Sequence, residues 1–154
     1  MFGGNTNAII DYNQFVQGGR GMEEILEFLN DNPVFYFATV EGDEPRVRPF
    51  GFHMEYEGKL YFGIGDEKES FTQLKTNSKF EVCTSSRDGR WIRIKADAIF
   101  DERSQVLEAA FEINPRLEEM YTKENGSRFA LFYTSKGSAV IADMIGNKEV
   151  YVIG

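Results

Sequence analysis

Two arginines on alternate residues mark the stretch of this sequence best suited to chemistry. The segment EPRVRPFGF, residues 44–52, places Arg46 and Arg48 two positions apart in an otherwise acidic chain. Alternate residues of a β-strand point to the same face, so the two guanidinium groups would lie side by side. Like charges placed in this way repel each other unless an anion lies between them. The segment therefore predicts a binding site for an anionic group.

A third cation, Lys68, lies at the start of a predicted helix. The turn at residues 57–58 would fold strand 59–65 back along strand 46–55 and return Lys68 to the two arginines. Such a cluster, together with the N–H groups of a helix N-terminus, would suit a phosphate. Three acidic residues at the same helix start would repel a phosphate unless they point away: Asp66, Glu67 and Glu69.

The charge and composition of the chain argue against several classes of ligand and location. The 154 residues carry 25 acidic and 17 basic side chains, a net charge of −8, which argues against nucleic acid and anionic membranes as ligands. No stretch approaches the ~20 apolar residues of a membrane span, and the N-terminus does not have the pattern of a signal peptide. Cys83 is the only cysteine, which excludes an intrachain disulfide and suits a reducing compartment. We expect a cytoplasmic protein.

The sequence lacks the common signatures of catalytic side chains and metal sites. One histidine, His53, and one cysteine are too few for a structural zinc site, which takes four such ligands. The chain has no nucleophile elbow, no Walker loop and no Rossmann glycine fingerprint. Carboxylate clusters at turns and helix starts are typical of solvated turns and caps. We therefore predict neither a catalytic side chain nor a metal site.

The order of predicted elements indicates a small β-barrel with added helices. An amphipathic helix from Met22 ends at NDNP, a second helix is capped by Asp66, and helical residues 104–121 are broken at Asn114-Pro115. Six or seven strands are expected from eight candidate segments, which are joined mainly by short hairpins. They are predicted at 34–41, 46–55, 59–65, 79–86, 90–101, 128–136, 138–144 and 149–154. Antiparallel strands joined in this way tend to close into a barrel.

The chain divides into an arm and one domain. Residues 1–20 are rich in glycine and asparagine and predict an N-terminal arm, whereas residues 21–154 predict a single domain. The length supports this division, because a chain of this size can bury a substantial core.

Three quoted segments carry a family resemblance. They are EILEFLNDNPVFYFATVEGDEPRVRPFGF, EGKLYFGIGDEKESFTQLKTNSKFEVC and WIRIKADAIF. Together they resemble the FMN-binding split-barrel superfamily typified by pyridoxamine 5′-phosphate oxidase, and within it the small bacterial proteins grouped with nitroimidazole reductases. The resemblance covers roughly residues 22–141.

The resemblance implies a mainly β split barrel that forms a homodimer, with FMN bound in grooves at the subunit interface. The strand at residues 46–50 would follow the isoalloxazine ring and the ribityl chain, and the strand ending at residues 61–63 would continue the wall. Lys68 and Gln73 would lie near the phosphate. The implied cofactor-binding residues are Arg46, Val47, Arg48, Pro49, Phe50, Phe62, Gly63, Lys68, Gln73, Trp91 and Arg93.

The sequence departs from the family pattern in two ways. The segment GIGDE lacks the hydroxyl residue that family members often carry before the lysine, and the C-terminal substrate segment of the true oxidases is absent. Oxidation of vitamin B6 is therefore not the expected activity.

Each singled-out residue also has a structural alternative. Arg46 and Arg48 can be solvated strand residues paired with carboxylates, and Lys68 can be an exposed helix lysine. Trp91 can be a core or interface aromatic. His53 is either a proton donor to substrate or a packed strand residue.

Two functions follow from this interpretation. The first is an FMN-dependent oxidoreductase acting on a small planar acceptor, for example a nitroaromatic compound. The alternative is a dimer that carries or senses flavin or haem without turnover, and a cofactor-free structural dimer is a third possibility. In the first case the flavin supplies the redox chemistry, so the absence of a catalytic dyad is expected.

Overall fold

The computed structural model describes residues 20–121, 124 and 126–154. In these residues eight strands form one antiparallel sheet, accompanied by four α-helices. The helices are α1 (Arg20–Asp31), α2 (Glu69–Thr76), α3 (Ser104–Ile113) and α4 (Pro115–Met120). The strands are β1 (Phe35–Glu41), β2 (Glu44–Phe50), β3 (His53–Tyr56), β4 (Lys59–Gly65), β5 (Lys79–Ser85), β6 (Arg90–Phe100), β7 (Phe129–Asp143) and β8 (Lys148–Ile153).

The sheet is a split barrel. Its strand order is β2-β1-β5-β6-β7-β4-β3, with β8 paired to the second half of β7. The two outermost strands, β2 and β3, are consecutive in the chain and are separated only by Gly51 and Phe52, yet no ladder joins them. The mainly β fold class predicted from the sequence is therefore confirmed, with eight strands rather than six or seven.

The predicted strand 46–55 was wrong as a single element. It is two strands: β2 pairs with β1, and β3 pairs with β4 through the register His53↔Phe62. The chain leaves one edge of the sheet at Phe50 and joins the opposite edge at His53, so strand 59–65 pairs with residues 53–56 only. A single straight strand cannot pair at both edges of an open barrel. Pro49 lies on the edge strand β2, where a residue without an N–H group is tolerated.

The long strand β7 replaces the two strands predicted at 128–136 and 138–144. Its first half pairs with β4 and its second half with β8, while β6 runs beside both halves. A register shift in β6 between Lys95 and Asp97 faces the residue Lys136, whose φ is +49°. This irregularity bends β7 without ending it, as bulges commonly do.

Phenylalanines fill the barrel. Phe37 of β1 stacks between Phe50 of β2 and Phe80 of β5, with ring centroids 4.5 Å and 4.8 Å away. Phe62 and Phe132 meet the same ring edge-on, and both are fully buried. Stacking on Phe37 therefore anchors the end of the edge strand β2 to the core.

The start of α2 differs from the prediction. The helix begins at Glu69, its N-cap residue is Lys68, and no side chain caps it. Asp66, the predicted cap, instead accepts a hydrogen bond from the backbone N–H of Arg128 at 2.9 Å. The predicted capping box was wrong because Asp66 is used to join the end of β4 to the start of β7. The predicted break at Asn114-Pro115 is confirmed, and the Asn114 side chain caps α4.

Helix α1 docks on the sheet through an apolar face and one polar contact. Ile25, Phe28 and Leu29 are buried against the barrel, and the helix ends before Pro33. Asn30 Oδ1 lies 2.8 Å from Nε2 of His53 on β3, while Nδ1 of His53 is buried with no hydrogen-bond partner among the described residues. His53 is therefore a packed strand residue that joins β3 to α1.

Two remaining expectations concern the N-terminus and membranes. The predicted arm, residues 1–20, lies outside the described residues apart from Arg20, where α1 begins. Over the described part of the chain, no helix is both long enough and apolar enough to cross a membrane.

We predict that stability falls below neutral pH because of His53. Burial lowers the pKa of this imidazole from its usual 6.5, so the folded state binds fewer protons than the unfolded state. The free energy of unfolding should then decrease as pH falls through about 6.5, by at most ~1.4 kcal/mol per pH unit for one group. Urea unfolding between about pH 5.5 and pH 7 measures this slope, and His53→Gln should reduce it. An equal slope in the variant would contradict the assignment to His53.

We predict that Gly63→Ala destabilises the fold more than Gly65→Ala. A Cβ on Gly63 would collide with the ring of Phe129, which is held in the second core cluster beneath α3 and α4. A Cβ on Gly65 would meet only the carboxylate of Glu67, the end of a flexible side chain. The expected costs are about 1–3 kcal/mol for Gly63→Ala and below about 1 kcal/mol for Gly65→Ala, measured by urea unfolding. Equal costs would contradict this account of β4 packing.

Candidate functional site

Arg48 makes the most hydrogen bonds of the three cations in the predicted cluster. Its Nη1 donates to Thr39 Oγ1 at 2.7 Å and to the backbone oxygen of Phe37 at 3.3 Å, and its Nη2 donates to Gln73 Oε1 at 2.7 Å. These bonds tie β2 to β1 and to α2. They engage three of the five N–H groups of the guanidinium, which leaves two for a further acceptor.

The side-chain amide of Gln73 is the centre of this network. It is 5% exposed, and its Oε1 accepts hydrogen bonds from both Arg48 and the hydroxyl of Thr39. Its Nε2 donates to Glu41 Oε2 at 2.7 Å. A buried amide must have its polar atoms paired, so these contacts fix the side chains around it.

Arg46 points to the same face as Arg48 but has different partners. Its Nη2 lies 3.4 Å from Glu41 Oε1 and 3.0 Å from Glu44 Oε2. These three side chains are about half exposed or more, so the ion pairs are solvent-screened and each is worth little to stability. The two arginines are therefore arranged differently: Arg48 is held by neutral groups, and Arg46 by two carboxylates.

The electrostatics around Arg48 identify one further carboxylate. Burial lowers the pKa of Arg48, the charge of Glu69 opposes this shift, and the charge of Arg46 adds to it. Glu69 therefore faces Arg48 from the first turn of α2, one helical turn before Gln73. At neutral pH the guanidinium stays charged, since an arginine pKa remains far above 7.

The other two acidic residues at the start of α2 point away from the arginines. Asp66 is bonded to the backbone of Arg128, and the Glu67 carboxylate folds over Gly65. Burial raises the pKa of Tyr121, and the charges of Glu67 and Asp66 raise it further, which places both near that phenol. Only Glu69 of the three thus acts on the predicted phosphate position.

Lys68 is exposed at the N-cap of α2. Its Nζ lies 4.0 Å from Glu67 Oε1, at the limit of an ion pair, and its side chain is 63% exposed. No direct contact joins Lys68 to Arg46 or Arg48 within the described chain. The structure therefore links Arg48, Gln73, Glu41 and Arg46 through successive contacts, and it leaves Lys68 exposed at the start of α2.

The opposite face of β2 is apolar and exposed. Val47 is 68% exposed, Pro49 is exposed beside it, and Tyr36, the β1 partner of Pro49, is 53% exposed. Phe50 points the other way, onto Phe37. The edge strand therefore has a polar side with the arginines and a flat apolar side open to solvent.

Two predicted residues of β4 lie in the core. Phe62 is fully buried among the barrel phenylalanines, and Gly63 packs against Phe129. Both residues are buried, so neither is accessible to a ligand within the single chain.

Trp91 and Arg93 lie on β6, away from β2. The strands β1 and β5 separate β6 from β2 in the sheet. Arg93 is opposite Cys83 and Trp91 is opposite Ser85, and Arg93 is exposed. One chain does not bring these two residues to the arginines, so they would need a second chain to share a site with them.

Sequence reasoning missed two residues of the site. Thr39 and Glu41 lie on β1, and both contact the arginines. Glu69 of α2 was named from the sequence as a charge that would oppose a phosphate, and it acts on Arg48. The spacing of Thr39 and Glu41, two residues apart, could have indicated that both point to the face of Phe37. No pattern in the sequence indicates which strand β2 pairs with.

A phosphate fits the side chains at this site. Arg48 keeps two free N–H groups, and Lys68 is accessible. Asp66 and Glu67 are turned away. The fit is opposed by Glu41 and Glu69, which place two negative charges near the same arginines.

The chain is similar to known proteins both in sequence and in fold. The family model for pyridoxamine 5′-phosphate oxidase matches residues 22–128, more than half of the chain. None of the curated proteins matches the chain. One solved structure, a NimC/NimA family protein from Clostridium acetobutylicum, is 43% identical, with a TM-score of 0.80, over 86% of this chain and 92% of that one.

More distant structures share the fold alone. An FMN-binding protein related to pyridoxamine 5′-phosphate oxidase, from Nostoc punctiforme, is 14% identical with a TM-score of 0.58, over 90% of this chain and 100% of that one. A haem-binding protein from Mycobacterium smegmatis is 12% identical with a TM-score of 0.65, over 89% of this chain and 60% of that one. From the match over residues 22–128 and the 43% identical structure, we conclude that this chain belongs to the pyridoxamine 5′-phosphate oxidase family.

Proposed function

We propose that this protein is an FMN-dependent oxidoreductase that acts as a cytoplasmic homodimer on a small planar acceptor, such as a nitroaromatic compound. The observation that carries the proposal is Arg48, a half-buried guanidinium fixed by Thr39 and Gln73 with two N–H groups free. Membership of the family and the 43% identity to a NimC/NimA family protein support the reaction class.

In this proposal Arg48 and Lys68 bind the phosphate of FMN. Arg48 would donate its two free N–H groups to phosphate oxygens, and Lys68 would supply a mobile charge from the surface. Val47 and Pro49 would present the flat apolar side of β2 to the ring system. Trp91 and Arg93 would come from the other subunit, because one chain keeps them apart from β2.

The protein's part in the reaction is binding and orientation. FMN, when bound, supplies the redox chemistry by accepting a hydride and passing electrons on to an acceptor. His53 has no role as a proton donor here, because its Nε2 is bonded to Asn30 and its Nδ1 is buried. The edge strand β2 leaves room for a planar ring beside it, since none of the described strands pairs with its outer edge.

Reconstitution followed by turnover tests the proposal. The purified protein is mixed with FMN, freed of excess flavin, and its absorption spectrum and flavin content are measured. Oxidation of NADH or NADPH with nitroaromatic and quinone acceptors is then compared with free FMN. Stoichiometric flavin with turnover above free FMN supports an oxidoreductase. Bound flavin without turnover would favour a carrier or sensor, and absence of binding would overturn the proposal.

We predict that the double variant Arg48→Ala with Lys68→Ala loses FMN. Removing two charge-assisted contacts should weaken binding by at least about 100-fold, because each contributes roughly 1.5–3 kcal/mol. Flavin fluorescence titration gives the Kd, and urea unfolding checks that the variant folds. The matched control is Arg116→Ala with Lys148→Ala, which removes the same charge from α4 and β8. Equal affinities for the two double variants would contradict the phosphate role.

We predict that Tyr36→Asp converts the dimer to a monomer. Tyr36, Val47 and Pro49 form an exposed apolar patch on one face of β1 and β2, which a second subunit would cover. A carboxylate in the centre of that patch would be desolvated without a partner. Light scattering after gel filtration measures the mass, and Ile113→Asp on α3, equally exposed in the monomer, is the control. A dimeric Tyr36→Asp would place the interface elsewhere.

A further inference from the structure

We propose that Glu41 is an internal anion that is held between Arg46 and Gln73, beside the proposed phosphate position at Arg48, and thereby sets how tightly the site holds a phosphorylated flavin. This inference rests on the proposed function, because it concerns the same site. It assigns to Glu41 a role in affinity and specificity that neither its position in the sequence nor its exposure indicates.

The first observation is how Glu41 is held. Its Oε2 accepts a hydrogen bond from Gln73 Nε2 at 2.7 Å, while its Oε1 lies 3.4 Å from Arg46 Nη2. One carboxylate thus bridges an amide and a guanidinium. Gln73 is buried, so its Nε2 would lose a partner if Glu41 turned away. Glu41 is therefore kept in place, unlike an ordinary exposed glutamate.

The second observation is that the hydrogen bonds to the oxygen of Gln73 fix the orientation of its side-chain amide. Gln73 Oε1 is already shared by Thr39 and Arg48, and Thr39 is 2% exposed. Rotation of the Gln73 amide would place its NH2 group against the guanidinium of Arg48, donor against donor. The amide has one workable orientation, and that orientation aims Nε2 at Glu41.

The third observation is the contrast with Glu44. Glu44 approaches the same arginine more closely, at 3.0 Å, but its side chain is 65% exposed and has no bond to Gln73 among the described contacts. The Glu44 carboxylate can therefore move into the solvent when another anion binds near Arg46. Glu41 and Glu44 thus have equal charges near one arginine and differ in whether the protein holds them there.

The consequence is a competition between Glu41 and a phosphate. A phosphate that approaches Arg46 meets the Glu41 charge, and unit charges a few ångströms apart near a protein surface interact appreciably. Either the phosphate stays at Arg48 and Lys68 with the repulsion present, or Glu41 leaves and the Gln73 amide loses its partner. Both routes weaken binding of the phosphate and leave binding of the flavin ring unaffected.

The experiment compares two flavins and two variants. FMN and riboflavin, which lacks the phosphate, are titrated by fluorescence against the wild-type chain, Glu41→Gln and Glu44→Gln at low ionic strength. Gln at position 41 keeps an oxygen to accept from Gln73 and loses the charge. For Glu41→Gln we expect the Kd of FMN to fall by about three- to tenfold and the Kd of riboflavin to stay within twofold. Glu44→Gln should change the Kd of FMN by less than twofold.

The outcomes are distinct from those that test the proposed function. A parallel change for FMN and riboflavin, or no change for FMN, would overturn the role of Glu41 while leaving an FMN protein. Equal effects of the two variants would overturn the part played by Gln73. If the wild-type chain and Glu41→Gln bind neither flavin, the proposed function and this inference both fail.

Discussion

The site depends on a single buried amide. Gln73 lies under the edge of the barrel with 5% of its surface exposed, and its oxygen and nitrogen together contact one residue of β2 and two of β1. Leaving a buried polar atom unpaired costs about 1–3 kcal/mol, so the three side chains and the helix that bears Gln73 are mutually constrained. The orientation of Arg48 is a consequence of this constraint, as is the position of Glu41.

The open edge of the barrel decides where a ligand could lie. Phe50 secures the end of β2 by stacking on Phe37, after which the chain crosses to the opposite edge at His53. Among the described residues, the crossing leaves β2 paired on one side, with β1, and unpaired on the other. Pro45 and Pro49 have no N–H to donate, which also protects the free edge from pairing with another strand. An edge that resists strand pairing but presents apolar side chains is suited to a flat ligand and a second subunit.

Acidic residues are distributed so that a net negative chain can still present a cationic site. Asp66 is bonded to the backbone of Arg128, just before β7, and both Asp66 and Glu67 lie near Tyr121. Glu69 and Glu41 remain with the arginines and balance them when no other anion is present. Two like-charged guanidinium groups on one face are thus tolerated, because carboxylates of the chain itself separate and screen them.

Local patterns along the chain were enough to predict the class of fold, most of the elements and the family. Alternation of apolar residues in β1, the break at Asn114-Pro115 and the edge position of Pro49 follow from local patterns, because strand faces, helix breaks and missing N–H groups are properties of a few neighbouring residues. The same local logic placed Arg46 and Arg48 on one face. It failed at Asp66, where a contact with Arg128, 62 positions away, replaced the expected helix cap.

Only the tertiary structure decided what the arginines contact. Thr39, Glu41 and Gln73 meet Arg48 or Arg46 because β2 pairs with β1 and α2 packs beside them. Such partners are set by the closure of the barrel and by the burial of one amide, both of which join residues far apart in the chain. The separation of Trp91 and Arg93 from β2 has the same origin, since two strands lie between them. The residue types predicted an anion site. The packing of the chain shows that one anion beside Arg46, the carboxylate of Glu41, belongs to the protein itself.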